Sequence, residues 1–173
     1  DMALAYLNKA LTIFLKIHDS IGIASTYNRK AAVFYEKSML DSIRYYVNYS
    51  NKILVEIDSN NRIISNNYNI LGALYSAHDK QLAMRYYNKS LNHLQKSGEN
   101  ADKANILINM ARLYNSENDY KNALKSAKEA YYIAEFTGVS TYKVSSAREI
   151  SFSYAHLNDY RSAYEYHRIY TRL

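Results

Sequence analysis

The stretch Tyr114-Asn115-Ser116-Glu117-Asn118-Asp119-Tyr120-Lys121-Asn122-Ala123 decides how the chain is read, because its pattern returns 40 residues later in Tyr154-Ala155-His156-Leu157-Asn158-Asp159-Tyr160-Arg161-Ser162-Ala163. In both stretches a Tyr precedes Asn-Asp-Tyr, and a small residue closes the pattern. Working outward, Ala3, Ile43, Ala83, Ala123 and Ala163 form one series of anchors at a period of 40, with Tyr35, Tyr75, Tyr114 and Tyr154 eight or nine residues ahead of the next anchor. A unit of this size cannot bury its own apolar face, so successive units must stack and share a core. Tyr75 lies eight residues before Ala83, whereas Tyr114 lies nine before Ala123, and a shorter loop around residues 98–101 restores the period. That compensation is what a fixed stacking distance demands.

Within each period the apolar residues follow helical spacing, as in Leu4, Leu7, Leu11 and Phe14, or Ala123, Ala127, Ala130 and Ala134. Alternating strand patterns are missing. Turn signals fall twice per period. His18-Asp19-Ser20, Asp58-Ser59-Asn60-Asn61, Gly98-Glu99-Asn100 and Gly138-Val139-Ser140 close one helix, and Met39-Leu40-Asp41, His78-Asp79, Asn118-Asp119 and Asn158-Asp159 separate the next pair. The spacing predicts about nine helices, with the first helix of each pair near residues 20–37, 60–77, 100–117 and 140–157. The chain opens and closes within second helices and is expected to be part of a longer protein. Gly98 and Gly138 suit the left-handed residue that ends a helix, and Asp79, Asp119 and Asp159 suit the N-cap of the next.

Composition narrows the function classes. The chain has no Cys, hence no disulfide, thiolate metal site or cysteine nucleophile. Its 22 basic and 16 acidic residues are interspersed, without the Lys/Arg block of a nucleic-acid arm, so direct nucleic-acid binding is not expected. No apolar run approaches the length of a membrane span. The compartment stays open between cytoplasm and periplasm. His18, His78, His93, His156 and His167 are far apart and lack helical i, i+4 pairing, so no metal site is expected, and no cofactor is implied. No nucleophile elbow or Gly-rich phosphate loop can be built from four isolated Gly, and carboxylates such as Glu36, Asp41, Glu117 and Asp119 sit at turns, where capping accounts for them. Catalysis is not expected. The 20 Tyr suit inter-helix gaps with a wet edge, and one ring of each pair Tyr45-Tyr46, Tyr86-Tyr87 and Tyr131-Tyr132 should face the core while its neighbour covers the outside.

Tyr68-Asn69-Ile70-Leu71-Gly72-Ala73-Leu74-Tyr75, followed by Ala83 and Tyr87, resembles the tetratricopeptide repeat, with Tyr in place of the usual Trp. Met110, Ala111, Tyr114, Asn118, Asp119, Tyr120, Ala123, Ala127 and Ala130 follow the same order, as do Ile150, Ser151, Tyr154, Asn158, Asp159, Tyr160 and Ala163. The resemblance covers essentially the whole chain and implies an all-α, right-handed superhelical solenoid of antiparallel helix pairs, residues 1–173 forming one solenoid domain. Two departures are plain: each repeat carries about six extra residues, and the helix-breaking Pro is missing. The Tyr- and Asn-rich style of the long repeat resembles arrays in bacterial signalling proteins, where such a region precedes a kinase or DNA-binding output.

The resemblance further implies a concave face lined by the first helices, on which a protein or peptide partner would lie. The positions carried over are Arg29, Val33 and Glu36, then Asn66, Asn69, Ala73 and Ser76, then Asn105, Asn109, Arg112 and Asn115, then Ser145, Arg148, Phe152 and His156. Of these, Arg29, Asn66, Asn69, Asn105, Asn109, Arg112, Asn115 and Arg148 are the candidate ligand contacts: Asn would bond a peptide backbone and Arg would grip carboxylates. The alternative is that these polar side chains are simply solvated. Asn109 and Arg112 are read as lying outside the packed stripe, so their joint removal is expected to leave melting unchanged. Two functional readings follow, a non-enzymatic interaction module and a sensor region of a bacterial histidine kinase or transcriptional regulator in which a ligand or self-association changes the superhelix. The third class, an enzyme, is not expected for want of any catalytic constellation.

Overall fold

The structure, a computed structural model, describes residues 2–56, 61–97 and 100–172. Among them are nine α-helices and no strand: α1 (Met2–Lys16), α2 (Ser20–Glu36), α3 (Leu40–Glu56), α4 (Asn61–Tyr75), α5 (Lys80–Ser97), α6 (Asn100–Ser116), α7 (Tyr120–Thr137), α8 (Ser140–His156) and α9 (Tyr160–Arg172). The expected first helices coincide with α2, α4, α6 and α8. Gly98 and Asp58-Ser59-Asn60, which the sequence marks as turns, lie outside the described residues. No helix among the described residues is long and apolar enough to cross a membrane.

The chain divides into two compact units, residues 1–97 and 98–173. In the first, α1 packs on α2, α2 on α3 and α4 on α5, while α4 also touches α2 and α3. In the second, α6 packs on α7, α7 on α8 and α8 on α9, while α6 also touches α8. Each unit is therefore solenoid-like, with consecutive helices paired and first helices in contact with one another.

Local chemistry explains the turns. Ser38, Asn118 and Asn158 are separated by multiples of the 40-residue period and all adopt the left-handed conformation, with φ of 56°, 60° and 63°. Asn tolerates that region better than most residues. After Asn118 and Asn158 the following Asp caps the next helix, the Asn122 amide donating to Asp119 Oδ1 at 3.2 Å and that of Ser162 to Asp159 Oδ1 at 3.1 Å; Asp79, after His78, likewise accepts from the Leu82 amide at 2.9 Å. The hydrogen bond from Ser162 holds the Asp159 carboxyl below its usual pKa. Asp19 caps α2 in the same way, accepting from Gly22 N–H at 2.9 Å. Thus Asn-Asp encodes a left-handed turn residue followed by an N-cap. At the other kind of turn Gly138 has φ of 71° and closes α7 by donating to the Ala134 carbonyl.

The anchors Ile43, Ala83, Ala123 and Ala163 are buried, whereas Ala3 is exposed, because α1 touches α2 alone and buries none of its residues. The first unit packs Ala31, Ile43, Val47, Leu71 and Leu74 together with Phe34, Tyr46, Tyr75 and Tyr86; the second packs Ala111, Ala127 and Ile150 with Leu124, Tyr131, Tyr154 and Tyr166. Volume is traded between repeats. The Tyr87 ring lies directly over Gly72, where a Cβ would collide with it, while the equivalent positions in the second unit are Ala127 and Ala111.

The Tyr pairs divide as expected: Tyr46, Tyr87 and Tyr131 are the more buried members beside Tyr45, Tyr86 and Tyr132. Tyr46, Tyr86 and Tyr166 occupy one repeat position and stack on Phe34, Tyr75 and Tyr154 at 5.3, 5.7 and 6.1 Å. Burial raises the pKa of the Tyr86 and Tyr166 hydroxyls. Lys30 is 5% exposed, with its ammonium 5.4 Å from the Tyr46 ring centre, and burial lowers its pKa.

Candidate functional site

Contacts between first helices place two polar clusters in the molecule, one in each unit. In the first unit, Asn67 on α4 is wholly buried. Its Nδ2 donates to Ser50 Oγ at 2.9 Å and Asn51 Oδ1 at 2.7 Å, and its Oδ1 accepts from Asn28 Nδ2 at 2.8 Å. Asn66 Nδ2 in turn donates to Asn28 Oδ1 at 3.0 Å, and Ser50 Oγ donates to the Ala24 carbonyl at 2.9 Å. The cluster is neutral and consists of amides and hydroxyls that satisfy one another. Of the expected contacts in this unit, Asn69 is buried, while Arg29 and Asn66 are exposed.

The second unit carries a different cluster, centred on Glu149 of α8, which is 6% exposed. Glu149 Oε1 accepts from Arg112 Nε at 3.1 Å and from Arg148 Nε and Nη2 at 3.2 and 2.9 Å. Its other oxygen, Oε2, accepts from Asn115 Nδ2 at 3.2 Å. Asn115 is itself buried, and its Oδ1 accepts from Ser153 Oγ at 2.9 Å. Arg112 Nη1 donates to Asn109 Oδ1 at 3.3 Å. Four of the expected contacts, Asn109, Arg112, Asn115 and Arg148, are thus brought together. Asn105, half-buried, lies one turn before Asn109 on α6.

The electrostatics follow from the count. Two guanidiniums share one carboxylate, leaving a surplus of one positive charge. The Arg112 and Arg148 side chains remain 44% and 48% exposed, so their outer N–H groups face solvent while their inner ones are fixed by a carboxylate that cannot turn to water. A guanidinium has five donors and cannot lose its proton under ordinary conditions. Such an arrangement of fixed planar donors suits an anion such as a carboxylate.

Arg112 is exposed, as a residue outside the packed stripe should be, but it also donates to buried Glu149 Oε1 at 3.1 Å, so its removal is expected to lower melting slightly. Glu149 itself, adjacent to Arg148, was not among the expected contacts, yet it organises the others. A signal exists in the repeat: counted five residues back from Tyr35, Tyr75, Tyr114 and Tyr154, the position holds Lys30, Ile70, Asn109 and Glu149. All four are buried or half-buried. A charged residue in such a series requires a partner.

Among the described residues no group of three or more His, Asp or Glu side chains is placed to hold a metal ion. A scan of the chain against protein-family models gives no match, and a search of curated proteins likewise finds no match.

Proposed function

We propose that the chain is a non-enzymatic interaction module of the tetratricopeptide type, holding a carboxylate-bearing segment of a partner protein against α6 and α8. The observation that carries this reading is the pair of half-exposed guanidiniums, Arg112 and Arg148, fixed on one buried carboxylate. Preorganised donors lose little side-chain freedom on binding, and bidentate Arg–carboxylate contacts are strong for their size. Asn105 and Asn109, on the same face of α6 as Arg112, add amides suited to a peptide backbone.

The test is capture of partners by immobilised wild-type protein and by the Asn109→Ala/Arg112→Ala variant, followed by titration of whatever the wild type retains. Binding about tenfold weaker, equivalent to about 1.4 kcal/mol, is the expected result. Arg148 and Asn115 still hold Glu149 in the variant, so it should fold, with melting lowered by a few degrees. Equal affinity in the two proteins refutes the reading.

A further inference from the structure

Beyond Arg148, α8 presents Phe152 and His156 at successive turns, which places the cationic cluster and two rings on one face of the helix. Phe152 is 46% exposed despite its size. The His156 ring lies 4.1 Å from that of Phe152 and 4.6 Å from that of Tyr120, nearly parallel to the latter at 25°. These rings are held in place. His156 Nδ1 is 2.9 Å from the Phe152 carbonyl, and the Tyr120 hydroxyl donates to Asn118 Oδ1 at 2.7 Å. Tyr120 comes from the first turn of α7, so three rings from two helices form one platform beside the Arg pair.

Resting on the reading of α6 and α8 as a carboxylate-binding face, we propose that this face selects an extended segment in which an acidic side chain stands two residues from an aromatic residue or proline. The acid pairs with Arg112 and Arg148, and the flat apolar side chain stacks on Tyr120, Phe152 and His156. Spacing sets the register. Arg148 and Phe152 are one helical turn apart, about 6 Å along the axis, which matches two residues of extended chain, about 6.6 Å, with both side chains on one side. Charge sets the second residue: the surplus positive charge beside the platform disfavours a Lys or Arg that bare aromatic faces would otherwise attract. Backbone chemistry favours an extended partner over a helical one, because extended chain offers unpaired N–H and C=O groups to amides such as that of Asn105.

The experiment is selection of random linear peptides displayed on phage against wild-type protein, Arg148→Gln and Phe152→Ala/His156→Ala. Wild type should enrich peptides with Asp or Glu two residues from Phe, Tyr, Trp or Pro. The Phe152→Ala/His156→Ala variant should keep the acid and lose the second preference; Arg148→Gln should lose the acid. A synthetic peptide of the enriched sequence should bind wild type about tenfold more tightly than its ring-to-Ala version, and the two should bind the Phe152→Ala/His156→Ala variant equally. Enriched peptides that carry the acid without the paired ring or proline, or a ring preference that survives in that variant, overturn this proposal while leaving the carboxylate-binding reading in place; enriched peptides without an acid overturn both. Failure of wild type to enrich any peptide overturns both.

Discussion

The contact of α2 with α4 and that of α6 with α8 hold the same place in the repeat, between first helices of successive pairs, and they are closed by opposite chemistry. Where α4 meets α2 and α3 lies a cluster of neutral amides and hydroxyls, with Asn67 of α4 bonded to Asn28 of α2 and to Ser50 and Asn51 of α3. Between α6 and α8 a buried carboxylate is shared by Asn115 and two Arg whose outer faces reach water. An amide can be satisfied by its neighbours without residue of charge. One carboxylate cannot neutralise two guanidiniums. The same geometry therefore yields a closed contact in one unit and, in the other, a cationic face with spare donors.

If Asn67 closes the first contact, its loss should have the largest effect on stability. Asn67→Ala leaves the buried Asn28 Nδ2 without its acceptor and opens a void, and should cost about 2–4 kcal/mol in urea unfolding. A loss within a few tenths of a kcal/mol would show that the amide cluster is incidental. In the second unit, Ala123 is fully buried between helices, so Ala123→Phe should overpack it by about 1–3 kcal/mol. An unchanged melting temperature would contradict the anchor register.

Glu149→Ala probes the contrast directly. Asn115 loses a charged acceptor, but Arg112 and Arg148 can turn outward to water, so the cost should be about 1–2 kcal/mol, smaller than that at Asn67. A larger loss than at Asn67 would mean that the charged cluster, not the amide one, is the tighter contact.

The smallest effect is expected at Lys30. Burial lowers its pKa from the ordinary 10.5, so the folded protein binds this proton less firmly than the unfolded chain does. The charged amine is therefore a cost at neutral pH, and that cost fades as pH rises through the folded pKa. Lys30→Met should raise the melting temperature slightly at neutral pH, offset in part by the lost contact with Tyr46, and its advantage should shrink near pH 10, the region where a free lysine titrates. An advantage that grows with pH would reverse the sign of this account.

Much of the fold was legible because it is local. The period of 40, the Asn-Asp turns and Gly138 each act through their own backbone, and α2, α4, α6 and α8 fall where those signals place them. The exposed Ala3 was not legible from the anchor series, since its environment depends on which helices touch α1. The candidate site was legible in half. Asn109, Arg112, Asn115 and Arg148 could be placed on a shared face by repeat position, whereas the role of Glu149 arises from partners 37 and 34 residues away in sequence. Asn115, carried over as a ligand contact, is buried and bonded to Glu149 and Ser153, where an amide supplies donor and acceptor at once.

The measurement that tests the central claim most directly is a paired titration of one retained partner, or one selected acidic peptide, against two variants matched in kind. Asn109→Ala/Arg112→Ala disables the face of α6 and α8, and Arg29→Ala/Asn66→Ala removes one exposed Arg and one exposed Asn from α2 and α4. The account predicts affinity about tenfold weaker for the first, or about 1.4 kcal/mol, and within about twofold of wild type for the second. Equal losses in both variants, or a loss confined to the second, would contradict it.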